Sequence, residues 1–205
     1  MSDAIRLALI DDDAAVCDSL QLYFARHNVS VTCFHAADQY LKAVSASELF
    51  DCVVTDVRMP GISGLDLVRR VAARGSSCPI ILITGHGDVD MAVSAVKSGA
   101  FDFIEKPFDE RRLLASVRDA VGKNRRRAVD TAELAGMQAR VELLSARQRQ
   151  VMELAAAGLS NKEIGARLNI SPKTVENHRA WVMERIGARN VAELVRIAMQ
   201  VRLQA

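Results

Sequence analysis

Long apolar segments are missing from this chain of 205 residues. No apolar run approaches the roughly 18 residues of a membrane-spanning helix, so a membrane protein is not expected. Residues 1–4 show no basic stretch leading into an apolar one, and therefore predict no signal peptide. Half of the residues are hydrophobic, which favours folded domains over disorder, and the length allows two small domains with cores of their own.

Cysteine is also scarce. The four cysteines, Cys17, Cys33, Cys52 and Cys78, are widely spaced and form no C-x-x-C pair. This spacing argues against a zinc centre or a disulfide framework. Reduced, buried thiols of a cytoplasmic protein are the expectation.

Net charge is small, but it hides an asymmetry. Residues 1–121 hold 12 Lys and Arg against 17 Asp and Glu, whereas residues 122–205 hold 15 against 8. An acidic first part and a basic second part are typical of a cation-binding domain joined to a nucleic-acid-binding domain. The split alone is only an indication of that arrangement.

Apolar, β-branched runs alternate with helical patterns in the first 121 residues. Five such repeats predict an α/β fold with a doubly wound parallel sheet, covered on both faces. The predicted strands are Ile5–Ile10, Ser30–Phe34, Cys52–Thr55, Ile80–Ile83 and Phe101–Glu105. The predicted helices are Ala14–His27, Ala36–Ala46, Gly64–Ala73, Asp88–Ser98 and one that begins at Asp109. Turn signals lie at Pro60-Gly61, Gly85-His86-Gly87 and Gly99.

The composition changes at residue 122. Residues 122–143 carry a basic run and then Ala/Glu/Gln-rich sequence without proline, which predicts a helical linker that continues the fifth helix. Leu134, Met137, Val141 and Leu144 recur within and after it at 3-4-3 spacing. This stripe allows either a paired coiled coil or docking on a neighbouring domain.

Helix start signals, without any strand pattern, follow in residues 144–205. Ser145 and Ser160 are each followed three residues later by Gln or Glu, as in a capping box. Ser171 precedes a proline at the first helical position, and Asn190 begins the last helical pattern. A small all-α domain of four helices is therefore predicted.

Charged side chains follow three of the predicted strands. Asp11 and Asp12 come after the first strand, Asp56 after the third and Lys106 after the fifth. Because ligands of an open α/β sheet bind beyond the carboxyl ends of its strands, these side chains should converge on one pocket. Clustered carboxylates repel one another unless a cation joins them, and an all-oxygen site suits Mg²⁺ or another divalent cation. Such a pocket is suited to handling a phosphoryl group.

These motifs resemble the receiver domain of two-component response regulators over about residues 5–121. The residues that carry the resemblance are Asp11-Asp12, Asp56 to Gly61, Thr84-Gly85 and Phe103 to Phe108. It implies a flavodoxin-like (βα)5 fold in which Asp56 is the phosphoacceptor. It further implies that Asp12, Asp56 and the backbone carbonyl of Arg58 bind Mg²⁺ directly, and Asp11 through water.

The same resemblance implies roles for three more residues. Lys106, followed by a cis bond to Pro107, would bridge an acidic side chain to the phosphoryl group. Thr84 would bind a phosphoryl oxygen, and Phe103 would rotate inward behind it, so that these two form a switch. Asp13 is interpreted as a helix cap rather than a third ligand.

Residues 145–205 resemble the LuxR/FixJ/NarL-type helix-turn-helix domain, through segments 144–151, 158–165 and 170–178. On a helical period Val175, Val182 and Ile186 face the core of this domain, with Trp181 partly buried and His178 packing near the core. The candidate DNA-binding residues are Lys162, Lys173, Thr174, Glu176, Asn177, Arg179 and Ala180. The basic members and Thr174 suit phosphates, and the outward N-terminal face of the helix can reach base edges.

Together the patterns predict a receiver over residues 1–121, a helical linker over 122–143 and a DNA-binding domain over 144–205. The resemblance to FixJ/NarL-type response regulators implies a cytoplasmic transcriptional regulator rather than an enzyme. A sensor histidine kinase would phosphorylate it, and the phosphorylated protein would bind promoter DNA as a homodimer. RNA polymerase is a further candidate partner, and no membrane partner is expected.

Two other functions fit these residues less well. A haloacid-dehalogenase-type phosphatase would place its nucleophile on the first strand, but its motif needs Thr or Val where this chain has Ala15. This function would also give Asp56 and Lys106 no joint role. A ligand-gated LuxR-type activator would need an apolar cavity instead of an acidic cluster.

Overall fold

A computed structural model of the chain describes residues 4–44, 50–85 and 89–202. The chain forms two compact units, Met1–Arg126 and Arg127–Ala205. Each unit has its own hydrophobic core, which is expected for domains of this size. The fold is therefore described below one unit at a time.

The first unit contains a five-stranded sheet. Its strands are β1 (Ile5–Ile10), β2 (Val29–Phe34), β3 (Cys52–Asp56), β4 (Ile80–Thr84) and β5 (Asp102–Glu105). They are all parallel, in the order β2-β1-β3-β4-β5. This order is that of flavodoxin-like doubly wound folds, so the predicted fold class is confirmed. The strand order reverses between β1 and β3, which opens a crevice beyond their carboxyl ends.

Five helices alternate with these strands. They are α1 (Ala14–Ala25), α2 (Ala37–Ala43), α3 (Gly64–Ala73), α4 (Val89–Lys97) and α5 (Glu110–Glu142). The predicted helix Gly64–Ala73 is confirmed at both ends, and the other described ends differ from the predictions by at most two residues. The predicted turn at His86 and Gly87, the helix start at Asp88 and the helix end at Ala46 lie outside the described residues.

Alternate residues of the strands bury on opposite faces of the sheet. In β1, Leu7 and Leu9 pack into one core with α1 and α5, whereas Ala8 and Ile10 pack into a second core with α2 and α3. All four side chains are fully buried. The period of two in a strand, with both faces of the sheet covered, therefore explains why β1 is apolar from Leu7 to Ile10.

The second unit consists of helices. They are α6 (Ala146–Ala156), α7 (Asn161–Leu168), α8 (Pro172–Ile186) and α9 (Val191–Arg202). Ser145 and Ser160 form complete capping boxes with Gln148 and Glu163, as predicted. The Ser171 side chain accepts a hydrogen bond from the Thr174 amide, and Pro172 occupies the first helical position.

The linker is the C-terminal part of α5, so the prediction that it continues the fifth helix is confirmed. Its apolar stripe packs into the core of the second unit, where Val141 and Leu144 are buried and Met137 is partly buried. Of the two arrangements that the sequence allowed for this stripe, the structure has the docked one.

Trp181 is the clearest error of the sequence analysis. Val175, Val182 and Ile186 are buried as predicted, but Trp181 is 54 % exposed. The helical period places residue 181 beside the buried seam, and an indole there can lie on the surface instead of turning inward. His178 does pack near the core, and its ring meets the Trp181 ring edge-on at 5.7 Å.

The four cysteines are free, and three of them are buried, in agreement with the expectation of reduced thiols. Burial raises the pKa of the Cys17 thiol to about 12, and Cys33 beside it acts in the same direction. Among the described helices, none is long and apolar enough to cross a membrane.

Candidate functional site

The candidate phosphoryl pocket lies where β1 and β3 end side by side. Ile10 pairs with Thr55 in the parallel register, so Asp11 and Asp56 follow at the same edge of the sheet. Gly64, the first residue of α3, approaches the end of β3 so closely that a Cβ there would overlap the carbonyl oxygen of Asp56. The missing side chain at residue 64 therefore allows the helix to start directly behind the carboxylate.

Asp11 is held from two sides and is only 1 % exposed. Its Oδ1 accepts a hydrogen bond from the Asp13 amide at 2.9 Å, and its Oδ2 accepts one from Lys106 Nζ at 2.9 Å. Asp13 itself caps α1 by accepting from the Ala15 amide, which confirms its interpretation as a cap. Within the acidic run, Asp11 therefore belongs to the pocket and Asp13 caps the helix.

Asp56 is 7 % exposed and shares the same lysine. Its Oδ1 accepts from Lys106 Nζ at 2.8 Å, and its Oδ2 accepts from the Arg58 amide at 2.6 Å. Lys106 reaches both carboxylates from the end of β5, where its amide donates to the Thr84 carbonyl and its bond to Pro107 is cis. One ammonium group therefore joins the two buried carboxylates.

The charge balance of this cluster favours a protonated lysine. Burial by itself would lower the pKa of Lys106, but the hydrogen bonds from its ammonium group to Asp56 and Asp11 outweigh this effect. The pKa of Lys106 is consequently raised above its ordinary value. At neutral pH the pocket therefore contains two acidic side chains and a lysine cation.

The other predicted pocket residues surround this cluster. Thr84 is fully buried at the end of β4, and Phe103 is partly buried against the core that faces α2 and α3. Asp12 and Arg58 are exposed at the edge of the pocket. Within the described ranges, no three His, Cys, Asp or Glu side chains are grouped as a ready metal site.

Two residues beside the pocket escaped the sequence analysis. Cys17 Sγ donates to the backbone carbonyl of Asp11 at 3.6 Å, and His35 Nδ1 lies 3.3 Å from the same oxygen. They secure the backbone that carries the carboxylate. Only the position of residue 35, directly after β2, could have indicated this contact.

The helix-turn-helix in the second unit is formed by α7 and α8. Asn169 ends α7 in the left-handed conformation, with φ of 55°, and the chain re-enters a helix at Pro172. A Cβ at Gly165 would lie 2.7 Å from the carbonyl oxygen of Ile170, so a side chain at residue 165 would push the turn away from α7. The turn is tight because α7 has a glycine where the chain returns.

The candidate DNA-binding residues are mainly on one exposed face. Lys173, Glu176, Asn177 and Ala180 of α8 and Lys162 of α7 are exposed. Lys173 Nζ and Glu176 Oε1 form an ion pair at 3.0 Å across one turn of the helix. Thr174 is half-buried, and its hydroxyl lies 2.8 Å from that of Ser171, at the cap.

Arg179 differs from the rest of this set. It is half-buried, and its Nη1 donates to Asn161 Oδ1 on the first residue of α7 at 2.8 Å. This bond joins the two helices of the motif, a task that the sequence analysis did not assign to either residue. A polar residue at the start of α7 was the only signal for it.

Two protein-family models match this chain. The response regulator receiver domain matches residues 7–118, and the luxR family of bacterial regulatory proteins matches residues 142–198. The transcriptional regulatory protein FixJ of Bradyrhizobium diazoefficiens is 47 % identical over 94 % of this chain and 93 % of its own length. The response regulator protein TmoT of Ectopseudomonas mendocina is 37 % identical over 95 % of this chain and 88 % of its own.

Solved structures give the same picture. The response regulator StyR aligns with a TM-score of 0.82 and 32 % identity, covering 96 % of this chain and all of its own. Full-length FixJ from B. japonicum aligns with a TM-score of 0.62 and 44 % identity, covering 98 % and 99 %. Both similarities extend over the two units.

Proposed function

Because this chain belongs to the FixJ family of response regulators, which join a receiver domain to a luxR-type DNA-binding domain, we propose that Asp56 is its phosphoacceptor. The protein is a phosphorylation-dependent transcriptional regulator, and its family is not one of enzymes. The observation that carries the assignment is the buried pair of carboxylates, Asp11 and Asp56, joined by Lys106 at the carboxyl edge of the sheet.

This geometry supports phosphoryl transfer to Asp56. An oxygen of the Asp56 carboxylate attacks the phosphorus of a kinase phosphohistidine, and the P–N bond breaks with its electron pair returning to the imidazole. The Arg58 amide at 2.6 Å orients the carboxylate for the attack. Lys106 then exchanges Asp56 Oδ1 for a phosphoryl oxygen while Asp11 continues to hold it. Its raised pKa keeps it cationic for this exchange.

Receiver domains bind Mg²⁺ at the phosphorylation site, and the donor set here fits that ion. Asp11 and Asp56 supply carboxylate oxygens in one pocket, and Mg²⁺ typically needs only one or two carboxylates beside its waters. Asp12, Asp56 and the Arg58 carbonyl would bind it directly, with Asp11 acting through water. When bound, the ion neutralises charge on the transferring phosphoryl group.

The switch would start from Thr84. Its hydroxyl belongs to a fully buried side chain at the end of β4, next to β5, and would turn toward a phosphoryl oxygen on Asp56. Phe103 is only partly buried and would move into the space behind it. The phosphoryl group thereby changes the surface around α4 and β5.

The output is sequence-specific DNA binding by α8. Asn177, Glu176 and Ala180 would face base edges in the major groove, whereas Lys162, Lys173 and Thr174 would contact phosphates. Arg179, which is committed to Asn161, would set the angle between the two helices and reach phosphate less freely. Promoter DNA lies in the bacterial cytoplasm, which we take as the site of action.

The kinase and the DNA act on different units of the chain, so phosphorylation needs a means of communication. A homodimer formed on phosphorylation would provide it, because two half-sites engaged together gain effective concentration. RNA polymerase would then be contacted by the DNA-bound dimer.

The direct test is to incubate the protein with acetyl phosphate and Mg²⁺ and to measure its intact mass. We expect one added phosphoryl group that hydrolyses in alkali, and its complete absence in Asp56→Asn, which keeps the shape of the side chain. Asp13→Asn is the matched control, because that carboxylate only caps α1. Phosphorylation of Asp56→Asn at the unchanged rate would overturn the assignment.

A further inference from the structure

The only tryptophan of the chain is on the surface of the unit that binds DNA. Trp181 is 54 % exposed, although an indole is among the largest apolar groups that a fold can bury. It follows Asn177 by four residues on α8, so the two side chains lie one above the other on one helix face. The indole therefore continues the face that is proposed to enter the major groove.

The ring of His178 supports Trp181 from one side. The His178 ring meets the indole edge-on, with centroids 5.7 Å apart and planes at 77°. His178 Nδ1 is buried without a hydrogen-bond partner among the described residues, which leaves this ring to act as a packing surface. A supported indole loses little conformational freedom when a partner covers it.

The indole also forms one wall of a groove. This groove has a volume of about 430 Å³ and is lined by Gln148, Trp181, Glu184 and Arg185. Gln148 uses its side-chain oxygen to accept from the Ser145 amide, so it can offer its amide hydrogens to an occupant. Arg185 adds a guanidinium group, which is suited to phosphate.

From these contacts we infer that Trp181 and its groove bind the sugar–phosphate strand that borders the bases read by α8. The indole packs on a deoxyribose ring, and Arg185 and Gln148 donate to the adjoining phosphate. Glu184 lies on the same wall, and its charge keeps a second phosphate out, so one apolar sugar sits against the ring. Such contacts fix the register of a protein on DNA without reading its sequence.

This inference rests on the proposed DNA-binding function, and two features favour DNA over another occupant. Trp181 of the groove lies one helical turn after the exposed Asn177 on α8. The lining of the groove includes Gln148 at the start of α6 and Arg185 of α8, and both belong to the part of the chain that carries the net positive charge. Met199 of α9 is similarly exposed, at 60 %, but it belongs to another helix and not to this groove.

Trp181 reports on its own environment, because no other residue contributes tryptophan fluorescence. The full-length protein, treated with acetyl phosphate, is titrated with a duplex recovered from a random-sequence library by binding selection. Anisotropy of the labelled duplex measures DNA binding, and acrylamide quenching of tryptophan fluorescence measures access to the indole. We expect quenching to fall roughly threefold as the duplex saturates the protein, since the indole becomes covered.

Variants supply the second arm of the test. Trp181→Ala should weaken binding to all selected duplexes by roughly fivefold to tenfold without changing their order, and Trp181→Phe should lose less. Met199→Ala, the matched control, should bind like the unmodified protein. Circular dichroism of each variant verifies that the helices are retained.

The possible outcomes distinguish a failure of this inference from a failure of the proposed DNA-binding function. If anisotropy reports tight binding while quenching and the affinity of Trp181→Ala are unchanged, the groove does not contact DNA, although the chain does. If quenching is already low before DNA is added and rises on phosphorylation, a protein surface covers the indole and the inference is wrong. If no duplex can be selected at all, the proposed DNA-binding function fails as well.

Discussion

Lys106 is the residue on which the phosphoryl pocket depends most. Two carboxylates buried close together would repel each other, and the ammonium group at 2.8 and 2.9 Å from them removes that repulsion. A phosphoryl group brings further negative charge to the same place, and the lysine is already positioned to meet it. The positive charge that balances the two carboxylates before phosphorylation is therefore already in place to balance the phosphoryl group afterwards.

Asp51 is a half-buried acidic residue, remote from this chemistry. Its carboxylate accepts from the amide and the guanidinium group of Arg6 and lies 3.6 Å from Arg125 of α5. Burial acts to raise the pKa of Asp51, but the hydrogen bonds and charge of Arg6 outweigh it, so the pKa is lowered. The ion pair is therefore formed at neutral pH.

A pH dependence of stability follows from the lowered pKa of Asp51. A carboxyl group whose pKa falls on folding stabilises the fold above its unfolded pKa, near 4, and loses this contribution as the pH drops through the folded value. We expect Asp51→Asn to lower the free energy of unfolding by about 1 kcal/mol at pH 7 and by less at pH 3, where part of the carboxylate is protonated. Urea unfolding at both pH values measures this, and an equal loss at the two would contradict it.

At the scale of elements, the C-terminal end of α5 belongs to the second unit. Leu144 is 2 % exposed in that core, whereas the adjacent Leu143 is 66 % exposed. The 3-4-3 spacing identified the stripe but could not decide what covers it, since a coiled-coil partner and a neighbouring domain bury the same residues. What covers the stripe depends on residues distant in the sequence, since Val175, Val182 and Ile186 belong to the same core.

This pair of leucines gives a matched test. Leu144→Ala should lower the free energy of unfolding of the second unit by roughly 2–5 kcal/mol, because it leaves a cavity in the core. Leu143→Ala should stay within about 0.5 kcal/mol of the unmodified protein. Trp181 fluorescence follows the urea transition, and its midpoint should not depend on protein concentration. A concentration-dependent midpoint would mean that the stripe is covered by a second chain.

The sequence predicted the elements well wherever the local pattern and the packing agree. The run Leu7–Ile10 is apolar because both faces of β1 are covered there, and the Ser145 and Ser160 caps are purely local. It failed at Trp181, since periodicity gives a direction from the helix axis but not the path of a long side chain. The bond between Arg179 and Asn161 was missed because it joins two helices.

For the whole molecule, the docked stripe affects the oligomeric state. A dimer held by Leu134, Met137, Val141 and Leu144 would have to break the core that Val141 and Leu144 already share with α6–α9. We therefore expect sedimentation to report a monomer without a phosphodonor and a dimer after treatment with acetyl phosphate. Asp56→Asn should remain monomeric in both. A dimer in both states would contradict phosphorylation-driven dimerisation.

The central claim is that phosphorylation of Asp56 controls DNA binding, and one measurement tests it most directly. The affinity of the full-length protein for a selected duplex is measured by anisotropy with and without acetyl phosphate and Mg²⁺, for the unmodified protein and for Asp56→Asn. We predict that the phosphodonor raises the affinity of the unmodified protein at least roughly tenfold, as expected when two half-sites are engaged together. The affinity of Asp56→Asn should not change. An equal rise in Asp56→Asn, or no rise in a fully phosphorylated unmodified protein, would contradict the claim.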